Sequence, residues 1–285
     1  PPGLSATNQL LESHLESRLC LMIMLPPRIH SGMFAWLRRR RRAQLVKQGL
    51  PLEWVQWFDV LPFIARLSAD ERKRLEALVC VFLAEKSFEG CNGFEMRDKV
   101  RVVIAAQACL LILNLDHLFY QKVRTVLVYP STFQHRSNQR DAAGIIENRE
   151  HTNLGEAWPN GPIVLAWDHA YQGGRNPDDG QNTVFHEFAH KLDMLDGVTD
   201  GIPPLTAAHK EDEWHSRMHA AALRHTEMVQ RGAPVFLDSY GATNPAEFFA
   251  VATEMFFERP QDLRKREAEV FALLKTFYRQ DPTLR

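Results

Sequence analysis

The sequence is short of cysteine, of net charge and of long apolar runs, and each shortage excludes something. Its 285 residues contain four cysteines, Cys20, Cys80, Cys91 and Cys109. No two of them form a CxxC pair, which argues against a cysteine-ligated zinc site, and a chain of this length buries a core without disulfides. Reduced thiols and a cytoplasmic location are the expectation. The formal net charge is -1, so no overall charge calls for nucleic acid or a membrane surface. The longest apolar run, Val102 to Leu115, contains Gln107 and Asn114. It falls short of the roughly 20 residues that span a bilayer, so a buried helix is expected and no membrane span. A second run, Leu19 to Leu25, lacks the flanks of a secretion signal: Glu12 and Glu16 precede it and no A-x-A site follows. Met33 is an alternative start that would leave 1 to 32 as upstream sequence, and both options stay open. Internal repeats are absent.

What is present reads as an ordinary globular protein, with 45% apolar and 24% charged residues. Residues 1 to 50 read as an N-terminal extension whose basic arm, Arg38 to Arg42, is a solvated cationic segment. A nucleic-acid or acidic-lipid contact is the competing reading, but no aromatic interleaving or groove-reading motif follows the arginines. Residues 51 to 285 read as one domain with a helical first part, 51 to 120. Ser68 with Glu71 predicts a capping box, and Leu75, Leu78, Val79, Phe82 and Leu83 continue at helical spacing. Phe88 to Met96 reads as a turn region. Val123 to Pro130 is a predicted strand, 135 to 144 a loop, and Gly161 to Ala170 a second strand. A polar stretch follows to 182. Helices are expected over 183 to 195, about 209 to 231, within 235 to 260, and from there to about Gln280. The fold class is α+β, mostly helical, with a small sheet beside the helix at 183.

That helix carries the chemistry. TVFHEFAHKLD, residues 183 to 193, holds two histidines with a glutamate directly after the first. Residues four apart on a helix are rotated by roughly 40° and stand one above the other. His186 and His190 therefore offer two imidazoles on one stripe to a single cation, and Glu187 lies one step round, within reach of a water there. This is the HExxH arrangement of two zinc ligands and a general base. Zinc activates water and polarises a scissile carbonyl, and the glutamate moves the proton to the leaving amine. The alternative is a helix with two surface histidines. Against it, Phe188, Ala189 and the preceding Thr-Val-Phe are uncharged, and two bare histidines on a buried face are unfavourable without a cation.

Two histidines are too few ligands. In the HExxHxxGxxH pattern a glycine turns the chain back to a third histidine; here Asp193 and Asp196 hold those two positions, so Asp196 is a poor third ligand. Asp193 is better read as orienting a histidine or the helix end. The stronger option is TNPAEFFA, 243 to 250. Asn244 and Pro245 form a helix start, Glu247 falls in the first turn, and Ala250 leaves room for close packing. A glutamate there gives two histidines and a carboxylate plus water. Glu254 shares the stripe but stands about 10 Å further along the axis, and is a weaker ligand candidate than Glu247. The competing reading of Glu247 is a carboxylate favoured by the helix dipole. Tyr240, just before this helix, is placed to stabilise developing charge; a half-buried loop tyrosine is the alternative.

SYGATNPAEFFA (239 to 250) paired with HEFAHKLD (186 to 193) resembles the zinc-peptidase domain of anthrax lethal factor. More of the chain is similar to the bacterial Mlc titration factor A family. The supporting stretches, WFDVLPFIARLSADERKRL, VLVYPSTF, GPIVLAW, HEFAHKLD, GIPPL, YGATNPAEFFAV and FYRQDP, run from about Trp57 to Pro282. The resemblance implies a zincin-like, gluzincin-type zinc metallopeptidase in the cytoplasm, aminopeptidase-like on short peptides, that also sequesters the glucose-regulon repressor Mlc. It implies one Zn2+ per chain held by His186, His190 and Glu247, with Glu187 as base and Tyr240 as the transition-state hydroxyl. No direct nucleic-acid contact is implied. Lethal factor has an acid four residues after its ligand glutamate, where this chain has Val251. The partner that holds the histidines from behind must then come from elsewhere, with Glu254 and Asp193 as candidates. The resemblance does not reach the basic arm.

Two further expectations follow. Strand 162 to 167, read as an edge strand beside the cleft, would hold an extended peptide by adding it to the sheet. The competing function is a binding protein that titrates a repressor without catalysis, with a structural zinc.

Overall fold

The capping box at Ser68 forms as its residues dictate. The Ser68 hydroxyl accepts from the Glu71 N–H (3.3 Å), and the Glu71 carboxylate accepts from the Ser68 N–H (3.0 Å). The computed structural model describes residues 32–131, 133–140, 146–153, 155–157, 161–205 and 208–285. The Leu19 to Leu25 run lies outside them.

Helix α1 (Gly32–Gln48) carries the basic arm, and α2 (Ala69–Glu85) follows three short helical turns. The arm is not wholly solvated. Arg42 is buried, and its guanidinium grips the Glu85 carboxylate with two bonds of 2.6 and 2.7 Å, while Arg38, Arg40 and Arg41 stay exposed. A bidentate pair of this kind fixes orientation as well as charge. Helix α3 (Asp98–Leu111) takes up most of the long apolar run. Its Gln107 is fully buried and donates to the carbonyls of Val103 (3.2 Å) and Ala170 (3.1 Å).

The sheet has the order β1 (Ser87–Gly90), β2 (Thr125–Tyr129), β6 (Ile163–Ala166), β5 (Gly155–Ala157). The first three are parallel; β5 runs antiparallel to β6. Val126 aligns with Ile163 and Val128 with Leu165, and all four are buried. Between β2 and β5, β3 (Phe133–Arg140) and β4 (Ile146–Asn153) form a separate antiparallel pair.

Four sequence expectations change here. Phe88 to Met96 is not all turn, because β1 occupies its beginning; a strand of four mostly exposed residues has too little alternation to read. Residues 135 to 140 belong to a strand rather than a loop, since a polar two-stranded ribbon is held by its backbone ladder and needs no apolar alternation; 141 to 145 lie outside the described residues. The strand at 161 to 170 stops at Ala166, and α4 (Trp167–Arg175) replaces the expected polar loop. Gly173 and Gly174 lower helix propensity and mask it. They are required by contact: a Cβ on Gly174 would come within 2.7 Å of both Gln107 and Leu61. Finally, β6 is an inner strand, flanked by β2 and β5, so it cannot be the edge that receives a peptide.

The rest is helical: α5 (Thr183–Asp193), α6 (Ala208–Gln230), α7 (Pro245–Glu258), α8 (Pro260–Arg266) and α9 (Ala268–Tyr278). The last expected helix is thus two, ending at Arg279 in a left-handed conformation (φ 52°). Helix α5 lies against α3, α7, β5 and β6. Helix α7 is buried on nearly every side, with Phe248, Phe249, Phe256 and Phe257 in the core. Helices dominate beside a small sheet, which makes the fold α+β. Among the described residues no helix is long and apolar enough to cross a membrane.

Candidate metal centre

Two capped helices build the site. Asn182 caps α5, its Oδ1 accepting from the Phe185 N–H at 3.0 Å. Asn244 caps α7, its Oδ1 accepting from the Glu247 N–H at 3.0 Å, with Pro245 in the first turn. Both caps satisfy donors a helix start leaves open. Val184, Phe185, Phe188 and Leu192 anchor α5 in the core, all fully buried.

The packing of α5 on α7 brings His186, His190 and Glu247 together. Glu247 Oε2 lies 2.9 Å from His186 Nε2 and 3.2 Å from His190 Nε2, and the two imidazole nitrogens are 3.2 Å apart. Tetrahedral zinc at 2.0–2.1 Å separates its donor atoms by about 3.3 Å. The triangle therefore has the size and the donor chemistry for one such ion.

The other predicted residues fall around it. Glu187 is buried beside the triangle. Its pKa is pushed up to about 7 by burial, against the pull of His186 and His190 and with the help of the Glu247 and Glu254 charges. Glu247 goes the other way. Burial favours its neutral form, but the bonds from His186 and His190 outweigh that and hold it at about 2. Tyr240 sits in the turn Ser239–Ala242 with its ring centroid 5.9 Å from that of His186. Burial first, then the charges of Glu247 and Glu187, raise its pKa to about 12, so the phenol keeps its proton. Asp238 holds the turn by accepting from the Tyr240 N–H at 2.8 Å.

Glu254 lies behind His186. Its Oε1 is 2.8 Å from His186 Nδ1, the nitrogen facing away from the triangle, and its Oε2 accepts from the Asn182 N–H. Burial pushes the His186 pKa down, but its bonds to Glu247 and Glu254 more than offset this and raise it. Asp193 is fully buried and accepts from the Gly201 N–H at 3.0 Å, so it ties the end of α5 to the following loop. Asp196 is exposed and accepts from the Val198 N–H at 2.9 Å. It stabilises its own turn and does not join the cluster.

Sequence reasoning missed the residues behind the site. Asn182 Nδ2 donates to Gln107 Oε1 (3.0 Å) and to Glu258 Oε1 (3.1 Å), with all three side chains buried. Asn182 was legible at most as a helix cap, and Glu258 at most as a charge at the end of an apolar helix. Gly201 links the loop to both helices. Its N–H serves Asp193, its carbonyl accepts from Trp214 Nε1 (3.1 Å), and its α-carbon lies against the Pro245 carbonyl at the start of α7.

Over residues 34–279 the chain matches the model of the glucose-regulated metallo-peptidase M90 family. The match begins inside α1, so it takes in the basic arm that motif resemblance left aside. The chain is similar to the uncharacterized protein slr2042 of Synechocystis, 39% identical over 251 residues, 87% of this chain and 91% of that protein. It is also similar to Mlc titration factor A of Cronobacter sakazakii, 33% identical over 238 residues (82% and 88% of the two chains). Mlc titration factor A of Yersinia pestis is 33% identical over 259 residues (89% and 92%).

Proposed function

The chain belongs to the glucose-regulated metallo-peptidase M90 family, and on that premise we propose that it is a zinc-dependent, gluzincin-type peptidase, aminopeptidase-like on short peptides, working in the cytoplasm. The observation that carries this is the donor triangle of His186, His190 and Glu247, with edges of 2.9, 3.2 and 3.2 Å.

In this reading those three side chains hold one zinc ion. When bound, zinc supplies Lewis acidity toward a scissile carbonyl and makes water nucleophilic at neutral pH. Glu187, a carboxylate whose proton affinity burial has raised, takes the proton from the attacking water and hands it to the leaving amine. Tyr240 keeps its phenolic proton and donates it in a hydrogen bond to the developing oxyanion. Glu254 accepts from His186 Nδ1–H and so presents the Nε2 lone pair to the ion. The substrate strand belongs on β5, which ends the sheet beside α5 and has β6 as its one partner among the described strands. An extended peptide added there gains main-chain bonds without displacing a strand.

The deciding experiment is Glu187→Gln. The variant should bind about one zinc per chain, as wild type does, and lose peptide hydrolysis by 100-fold or more, within the ~10²–10⁴ that a general base contributes. Full activity in that variant removes the mechanism.

A second reading rests on the names of the relatives. Two of the similar proteins are called Mlc titration factor A, and this chain on that analogy captures the Mlc repressor. Capture undiminished in Glu187→Gln would make binding independent of catalysis; no capture by wild type would confine the function to hydrolysis.

A further inference from the structure

Asn182 stands at a junction of three helices. As the cap of α5 it fixes where the histidine stripe begins. Its backbone N–H is given to Glu254 Oε2, on α7. Its side-chain amide is shared between Gln107 Oε1 on α3, at 3.0 Å, and Glu258 Oε1 on α7, at 3.1 Å. Gln107 is itself anchored by its two bonds to backbone carbonyls, one of them in α4. Asn182, Gln107 and Glu258 are 1%, 0% and 2% exposed. Each bond is therefore shielded from competing water, and a missing one leaves a buried polar group without a partner.

The chain of contacts leads to the donor triangle. Glu254 accepts from Asn182 with one oxygen and faces His186 Nδ1 with the other, at 2.8 Å. A carboxylate free to rotate would satisfy Nδ1 in several orientations of the ring. Held by the Asn182 N–H, it has one. The ring orientation of His186 and the tautomer with Nε2 unprotonated are thus set two bonds away from the metal ligands.

We propose that Asn182, backed by Glu258, is a positioning residue of the metal centre: its side-chain amide, held by Gln107 and Glu258, fixes the backbone N–H that locks the Glu254 carboxylate and through it the His186 imidazole. This rests on the reading of His186, His190 and Glu247 as zinc ligands. Outer partners of a ligating histidine are worth ~10–100-fold in metal affinity, and Asn182 acts one step further out, at the lower end of that range.

The test measures zinc affinity by competition with a chelator, and thermal stability alongside it. Asn182→Ser keeps the helix cap, since serine caps as well as asparagine, but loses both Nδ2 bonds. Its affinity should fall about 10-fold. In a Glu254→Leu background the same substitution should change affinity by less than about twofold, because the route to His186 is already cut; such non-additivity marks residues acting in series. Glu258→Gln keeps an acceptor for Asn182 and should bind zinc like wild type, whereas Glu258→Leu should bind more weakly.

The same 10-fold loss with and without Glu254 overturns the proposal. So does a lowered melting temperature with unchanged affinity, which assigns Asn182 a purely structural role. If Asn182→Ser does not fold, the Glu258 pair decides, and equal affinities for Gln and Leu overturn it. Wild type lacking stoichiometric zinc is a different failure, that of the metallopeptidase reading itself.

Discussion

His186 is held between two carboxylates, Glu247 Oε2 at 2.9 Å from Nε2 and Glu254 Oε1 at 2.8 Å from Nδ1. The two acids come from one helix, two turns apart, yet they face opposite sides of the ring. Only Glu247 also reaches His190. Their removal should therefore differ in kind. Glu247→Ala takes away a donor and should abolish stoichiometric zinc. Glu254→Leu leaves the triangle complete and should weaken zinc by ~10–100-fold. Metal analysis after dialysis against graded chelator separates the two; equal losses would contradict the division.

Tyr240→Phe should lower kcat about 100-fold or more, the usual cost of one oxyanion donor, and leave KM within about threefold. The tyrosine is 54% exposed, so its hydroxyl contributes little to the core and the melting temperature should not move. A raised KM with unchanged kcat would reassign Tyr240 to substrate binding.

Stability should depend on Glu258. Burial foremost, helped by the Glu254 and Asp179 charges, raises its pKa from 4.5 to about 9, and its Oε2 has no hydrogen-bond partner among the described residues. The folded state thus keeps a proton that the unfolded chain releases above about pH 4.5. The stability this contributes is complete below 4.5 and is lost as pH rises toward about 9. Glu258→Gln removes the titration. The variant should gain on the order of 1 kcal/mol or more over wild type at pH 8 and show a flatter profile between pH 5 and 9. Parallel profiles from thermal melts would refute this.

Gly201→Ala should be destabilising and should also damage the site. The residue has φ +77°, and a Cβ there would collide with the Pro245 carbonyl. The left-handed conformation alone costs a residue with a Cβ ~1–2 kcal/mol. Relieving the collision would push α7 from α5, so zinc affinity should fall along with the melting temperature. A drop in melting temperature with affinity intact would show that the loop and the triangle are independent.

The sequence made the helix starts legible because a cap is a local event. Ser68 with Glu71, and Asn244 with Glu247, each bond within three residues. The meeting of His186, His190 and Glu247 followed from stripe spacing on one helix and the first turn of another. What stayed hidden depends on neighbours distant in sequence. Nothing in residues 162 to 167 shows that β5 lies on their outer side. Gly173 and Gly174 read as breakers until the Gln181–Asn182 backbone is seen against the first and Gln107 of α3 against the second. Asn182 and Glu258, 76 positions apart, carry no pattern that pairs them. Asp196 looked like a ligand position only by analogy with a glycine turn this chain lacks.

The donor triangle also has a consequence for how the chain reaches its native state. His186 and Glu247 are 61 positions apart, so one ion bridging them closes a loop of that length. The ion leaves when the chain unfolds, so it stabilises the folded state by its own binding free energy, and that energy holds two distant segments together. On the proposed reading, zinc acts as a latch joining the sheet-side helix α5 to the buried helix α7. Chelation should first loosen the seam between these two, well before the phenylalanine-rich core around α7 and α9 gives way.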